Sequence, residues 1–131
     1  MDVGSYQGPR RRLFALRGAV QAGENSREAI LGASEELMRA LIERNSLEAD
    51  DMVSCIFTTT EDLDAEFPAV AARQLGLNTV PLLCTREIPV PGSMERVIRV
   101  MIHYYAPEDV EPVHVYVGAT QALRADLNAA Q

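Results

Sequence analysis

Between Glu95 and Tyr105 the chain runs through Val97-Ile98-Arg99-Val100-Met101-Ile102, a β-branched, apolar stretch of strand length entered from the proline-glycine loop Pro89-Val90-Pro91-Gly92. In a strand, alternation sets Val97, Arg99, Met101 and His103 on one face and Ile98, Val100 and Ile102 on the other. An arginine is thereby aimed into apolar company. The residues alone leave two explanations open. Arg99 lifts its head to a strand end or pairs with a carboxylate, or it holds a charge ready for an anion or a developing oxyanion.

The other segments surround this strand. Leu13 to Ala19 reads as a first strand, with Leu13, Ala15 and Arg17 on one face and Phe14, Leu16 and Gly18 on the other, and Gly18 is expected to let the chain turn. Asn25 or Ser26 can cap a helix in which apolar residues recur at Ile30, Leu31, Leu37, Met38, Leu41 and Ile42, ending near Asn45. Val53 to Thr60 is a β-branched strand broken by Glu61-Asp62-Leu63-Asp64. Pro68 opens a shorter helix through Leu75, with Gly76 as its C-cap. Further strands are expected over 79–87, 95–105 and 113–117, giving the order β-α-β-α-β-β-β. Two helices cannot cover both faces of five strands, so one sheet face must meet something else, most simply another subunit.

Bulk properties remove several function classes. A net charge of −7 opposes general affinity for nucleic acid or an anionic membrane. No apolar run approaches the roughly 20 residues of a membrane-spanning helix, and the expected location is the cytoplasm. All 12 basic residues are arginine, which excludes Schiff-base and P-loop lysine chemistry. That bias suits bidentate carboxylate recognition and equally suits a genome's base composition. Residues 1–12, ending in Arg10-Arg11-Arg12, are expected as a flexible leader, and 13–131 as a single domain. Cys55 and Cys84 lie in strand-like runs without metal-ligand spacing and are expected as free thiols.

No nucleophile-base pair, zinc pattern or phosphate-binding loop is present. Glu87 ends the third strand, with Cys84 alternating to the opposite face. In the fifth, His114 and Tyr116 point one way and Val113, Val115 and Val117 the other. Such an inventory suits orientation and electrostatics better than covalent or metal chemistry.

Short stretches in order carry a resemblance: Leu16-Arg17-Gly18-Ala19, Thr60-Glu61-Asp62-Leu63 with Phe67-Pro68-Ala69, Val80-Pro81 with Cys84 and Glu87, Val97-Ile98-Arg99-Val100, and His114-Val115-Tyr116 with Leu123-Arg124 and Asp126-Leu127. Together they resemble the monofunctional chorismate mutases of the AroH class. The resemblance implies an α+β fold, a mixed five-stranded sheet with two helices. It also implies a homotrimer, a pseudo α/β barrel with active sites between subunits. The implied activity is the rearrangement of chorismate to prephenate in the shikimate pathway, toward phenylalanine and tyrosine, with no cofactor or metal. By resemblance Arg99 faces the ether oxygen and a carboxylate, and Glu87 complements positive charge on the ring with Cys84 beside it. Arg17 and Tyr116 hold a carboxylate, Phe67, Ala69 and Arg73 border the cleft, and Leu123 and Arg124 close over it. Val70 stands where many relatives have lysine, Leu83 where they have a small hydroxyl residue, Val113 where they have arginine and Ala125 where they have proline. These departures touch substrate capture and closure more than the central charge pair.

Two other readings remain: a trimeric imine deaminase or hydrolase of similar architecture, and a non-catalytic module that binds a carboxylate metabolite. Turnover of chorismate separates all three.

Overall fold

The computed structural model describes residues 10–124. Its elements are β1 (Arg11–Gln21), α1 (Arg27–Asn45), β2 (Met52–Thr59), α2 (Ala69–Gln74), β3 (Leu82–Arg86), β4 (Val97–Pro107) and β5 (Val115–Tyr116), with 3-10 turns at Ala49–Asp51 and Gly118–Thr120. The strands form one mixed sheet in the order β3-β2-β4-β1-β5. β4 lies at its centre, antiparallel to β1 and β2, while the outer pairs β2–β3 and β1–β5 are parallel.

Both helices serve one face of the sheet. Phe14, Leu16 and Val20 of β1, Cys55 and Phe57 of β2, and Ile98, Val100, Ile102 and Tyr104 of β4 join Ile30, Leu37, Met38 and Leu41 of α1 in a common core. Fully buried side chains such as Leu16, Phe57 and Ile102 each stabilise by about 1.5–3 kcal/mol relative to exposure. The intervening residues Leu13, Leu83, Met101 and Tyr105 stay exposed on the other face. The alternation read from the sequence thus holds for these residues, and among the described residues neither α1 nor α2 covers the second face, although Ala19 and Val97 on it are buried.

Several boundaries differ from expectation, each for a local reason. β1 starts at Arg11 and pairs with β4 as far as Pro107, so Arg11 and Arg12 belong to the sheet rather than to the leader. An Arg11–Asp51 ion pair of 2.7 Å holds that end. Residues 1–9 lie outside the described part. Ser26 caps α1, accepting from the Ala29 N–H at 3.1 Å. Asn25 instead accepts from the backbone N–H groups of Asp64 and Ala65, tying the start of α1 to the segment before α2.

Gly18 does not turn the chain, because β1 runs on to Gln21. A Cβ there would stand 2.9 Å from the Cδ1 atoms of both Leu37 and Leu41 and 3.1 Å from the Val115 carbonyl oxygen. Glycine is required by the close approach of α1 and β5, not by a turn.

Candidate active site

The register of the sheet lines up one row of residues on its uncovered face. Thr85 of β3 pairs with Thr58 of β2, Thr58 with Arg99 of β4, Arg99 with Ala19 of β1, and Ala19 with Tyr116 of β5. Adjacent strands lie about 4.8 Å apart, so two intervals set Arg99 and Tyr116 about 10 Å apart across the small Ala19. Arg17 projects from the same face one row along. A cavity of about 290 Å³ lies over this region, lined by Arg17, Ile56, Thr58, Glu87, Arg99 and Tyr116 among others. Four residues expected to act together, scattered over 100 positions of chain, therefore share one cavity.

Glu87 reaches it from just beyond β3. Its backbone N–H donates to the Thr59 carbonyl at 2.9 Å, continuing the β2–β3 pairing by one residue. Its carboxylate accepts a hydrogen bond from the Thr58 hydroxyl. The Arg99 Nε lies 3.6 Å from Glu87 Oε2, an ion pair whose side chains are 39% and 28% exposed. That separation is too long for a hydrogen bond, and the buried Nε has no other partner among the described residues. Arg99 is therefore not sealed among apolar groups as alternation alone suggested, since its face carries no helix. Its Nε is buried against Glu87 while the rest of the side chain stays accessible, so the outer guanidinium N–H groups are the ones placed to receive an oxygen.

The loop joining these two charges is held by main-chain contacts. The Asp62 carboxylate accepts from the Arg96 N–H at 2.9 Å, and Thr60 Oγ1 accepts from the Val97 N–H at 3.0 Å. Arg96 takes a left-handed conformation at φ 53, which a non-glycine residue adopts only when surrounding bonds enforce it. A second cavity, of about 680 Å³, adjoins the first through Glu87 and Arg99 and is lined by Val90, Ser93 and Met94 of the loop and by Leu123.

The remaining expected residues do not join this group within one chain. Cys84 pairs with the core residue Phe57 and so lies on the helix side of the sheet, opposite Glu87. It lines a separate pocket of about 350 Å³ with Phe67, Glu66 and Arg86. Phe67 is 65% exposed there, Ala69 is buried in the core, and Arg73 is exposed on α2. Arg124 is exposed at the end of the described chain, close enough to influence His114 electrostatically. Of the departures, Val70 is half-buried on α2, and Leu83 and Val113 are exposed. Ala125, Asp126 and Leu127 lie outside the described residues. Among the described residues no group of three or more His, Cys, Asp or Glu is placed to hold a metal ion.

The sequence reading overlooked the supporting side chains. Thr58 orients Glu87, Asp62 anchors the approach to β4, and Thr120, fully buried, donates to the Ala19 or Val117 carbonyl and so folds the tail back toward β1. Their one visible signal was polarity inside β-branched runs, as at Thr58-Thr59-Thr60.

Comparison with known proteins covers most of the chain. A family model described as chorismate mutase type I matches residues 13–127. The chain is 45% identical over 118 residues to the chorismate mutase AroH of Thermus thermophilus, spanning 88% of this chain and 97% of that protein. It is 36% identical over 116 residues to the chorismate mutase AroH of Bacillus subtilis, spanning 86% and 91%. A solved structure of a chorismate mutase from Clostridium thermocellum superposes with a TM-score of 0.78 at 42% identity, covering 83% of this chain and 98% of that one.

Proposed function

The chain belongs to the chorismate mutase type I family, and from that membership we propose how its residues carry out the isomerase reaction, the intramolecular rearrangement of chorismate to prephenate. One C–O bond breaks as one C–C bond forms, and no atom leaves or enters. Such a step needs no nucleophile. It needs the substrate held in a compact conformer and the charge separation along the breaking bond stabilised.

The observation that carries the reading is the Arg99–Glu87 pair, 3.6 Å apart and lining one cavity with Arg17 and Tyr116. Arg99 directs the accessible end of its guanidinium toward the ether oxygen as it becomes negative, while its Nε faces Glu87. Glu87, oriented by Thr58, complements the positive character of the ring fragment. Arg17 and Tyr116 hold a substrate carboxylate at the far end of the row, and Leu123 and Arg124 border the opening. Placing these charges in advance means that little reorganisation is needed when the bond lengthens.

Cys84, Phe67 and Arg73 form a second half-site, on the other side of the sheet and on α2, with Ala69 packed in the core behind it. It meets the first only when a neighbouring chain brings it there. The uncovered sheet face and the exposed Phe67, Leu83, Ile88 and Val90 support assembly as a homotrimer with active sites between subunits. No helix among the described residues is long and apolar enough to cross a membrane, and the proposed location is the cytoplasm, in aromatic amino acid biosynthesis.

Purified protein is expected to consume chorismate, followed as loss of ultraviolet absorbance with prephenate formed, and to sediment at three times the chain mass. A folded assembly with no turnover at millimolar chorismate refutes the enzymatic reading and leaves carboxylate binding. An active monomer refutes the interfacial site.

A further inference from the structure

β1 and β5 pair over only two rungs, Gly18 with Val115 and Ala19 with Tyr116. One residue earlier the ladder changes character: the Arg17 backbone N–H donates to the His114 ring at Nδ1, 3.0 Å away, instead of to a main-chain carbonyl. One residue before that, a single side chain holds both polar groups of the Val113 main chain. Asn45 Oδ1 accepts from the Val113 N–H at 2.8 Å, and Asn45 Nδ2 donates to the Val113 carbonyl at 2.9 Å. The approach to β5 is thus built from an amide and an imidazole doing the work of a neighbouring strand.

We propose that His114 is a positioning residue that locks the Arg17 main chain to the segment carrying Tyr116, setting the separation of the two side chains that grip one substrate carboxylate. This rests on the reading of Arg17 and Tyr116 given above. A two-residue edge strand has few bonds of its own to keep register, and here the next bond along comes from a side chain. The contact forms with the neutral ring only, since a ring nitrogen that accepts carries no proton, and it specifies the tautomer protonated at Nε2. Burial, then the positive charges of Arg17 and Arg124, hold the imidazole below its ordinary value of 6.5. Those charges come from β1 and the tail, while α1 meets this segment through the uncharged Asn45.

The role predicts an unusual pattern of replacement. An asparagine amide oxygen falls near the position of Nδ1, whereas a glutamine amide reaches only to that of Nε2. His114→Leu and His114→Gln are therefore expected to raise KM for chorismate roughly five- to tenfold, the equivalent of one lost hydrogen bond, while kcat, set by Arg99 and Glu87, stays within about twofold. His114→Asn should return KM close to its original value. In 15N-labelled protein, a scalar coupling across the hydrogen bond should link the Arg17 amide nitrogen to His114 Nδ1. The proposal is overturned if that coupling is absent from the unaltered protein, if His114→Leu keeps the original KM, if kcat falls by as large a factor as KM rises, or if asparagine serves no better than glutamine. Failure of the unaltered protein to convert chorismate would refute the functional reading instead, and the coupling decides the lock without any turnover.

Discussion

Replacing Arg99 by alanine should separate catalysis from stability. At 3.6 Å, unit charges attract by about 1 kcal/mol in bulk water and about 5 kcal/mol at the effective dielectric near 20 of a protein surface. With side chains 39% and 28% exposed, water reaches both partners and places the free protein near the lower figure. Losing the Arg99–Glu87 pair should therefore cost the fold no more than about 1 kcal/mol. In the proposed role, bound chorismate excludes that water, and the same guanidinium then faces charge that develops only as the C–O bond lengthens. Removing one such preorganised donor is expected to lower kcat about 10²–10³-fold, or about 3–4 kcal/mol of barrier. Chorismate absorbance gives kcat, and urea unfolding of the same preparation gives stability. A rate loss under about tenfold in a folded protein, or a rate loss matched by an equal loss of stability, refutes the assignment of Arg99 to the transition state.

Gly18→Ala should destabilise by about 1–3 kcal/mol in urea unfolding, because its Cβ meets Leu37, Leu41 and the Val115 carbonyl; unchanged stability would show that α1 and β5 can withdraw freely. Burial pushes the Cys55 thiol up to about 12, so it should resist alkylation at pH 8 in the native protein and react on unfolding in guanidinium. Native modification at Cys55 contradicts the packing of β2. His114 titrates below its ordinary value of 6.5 in the folded chain, so its neutral form is favoured by folding. Its contribution is complete above 6.5 and lost as pH falls through the depressed folded value. KM for chorismate should rise in that acid window, and a KM independent of pH there in the unaltered protein argues against the Arg17–His114 bond.

Much of the site was legible because alternation is a local property. The period of two placed Arg99 opposite Ile98 and Val100, Arg17 opposite Leu16, and Tyr116 opposite Val115, and each pair separates as read. The opposition of Cys84 and Glu87 followed from the same rule. Gly18 was misread because a glycine beside an arginine looks like a turn, whereas the constraint comes from Leu37 and Leu41, some 20 positions away. Asn25 and Asn45 show the same limit. Asn25 reads as a possible cap but spends its amide on residues 64–65, and Asn45, read only as the end of the helix, spends its own on Val113.

By itself the sequence determined the elements, their order and the two faces of every strand, since propensity, capping and alternation act among near neighbours. It also determined that one sheet face would lack a helix. Only the tertiary structure decided which strands lie side by side. By placing β4 between β2 and β1, with β5 beyond, it brought Thr58, Arg99, Ala19 and Tyr116 into one row and left Cys84 and Phe67 on the opposite side. Pairing between distant segments depends on long-range burial and main-chain hydrogen bonds, and no local pattern records which neighbour each strand will find.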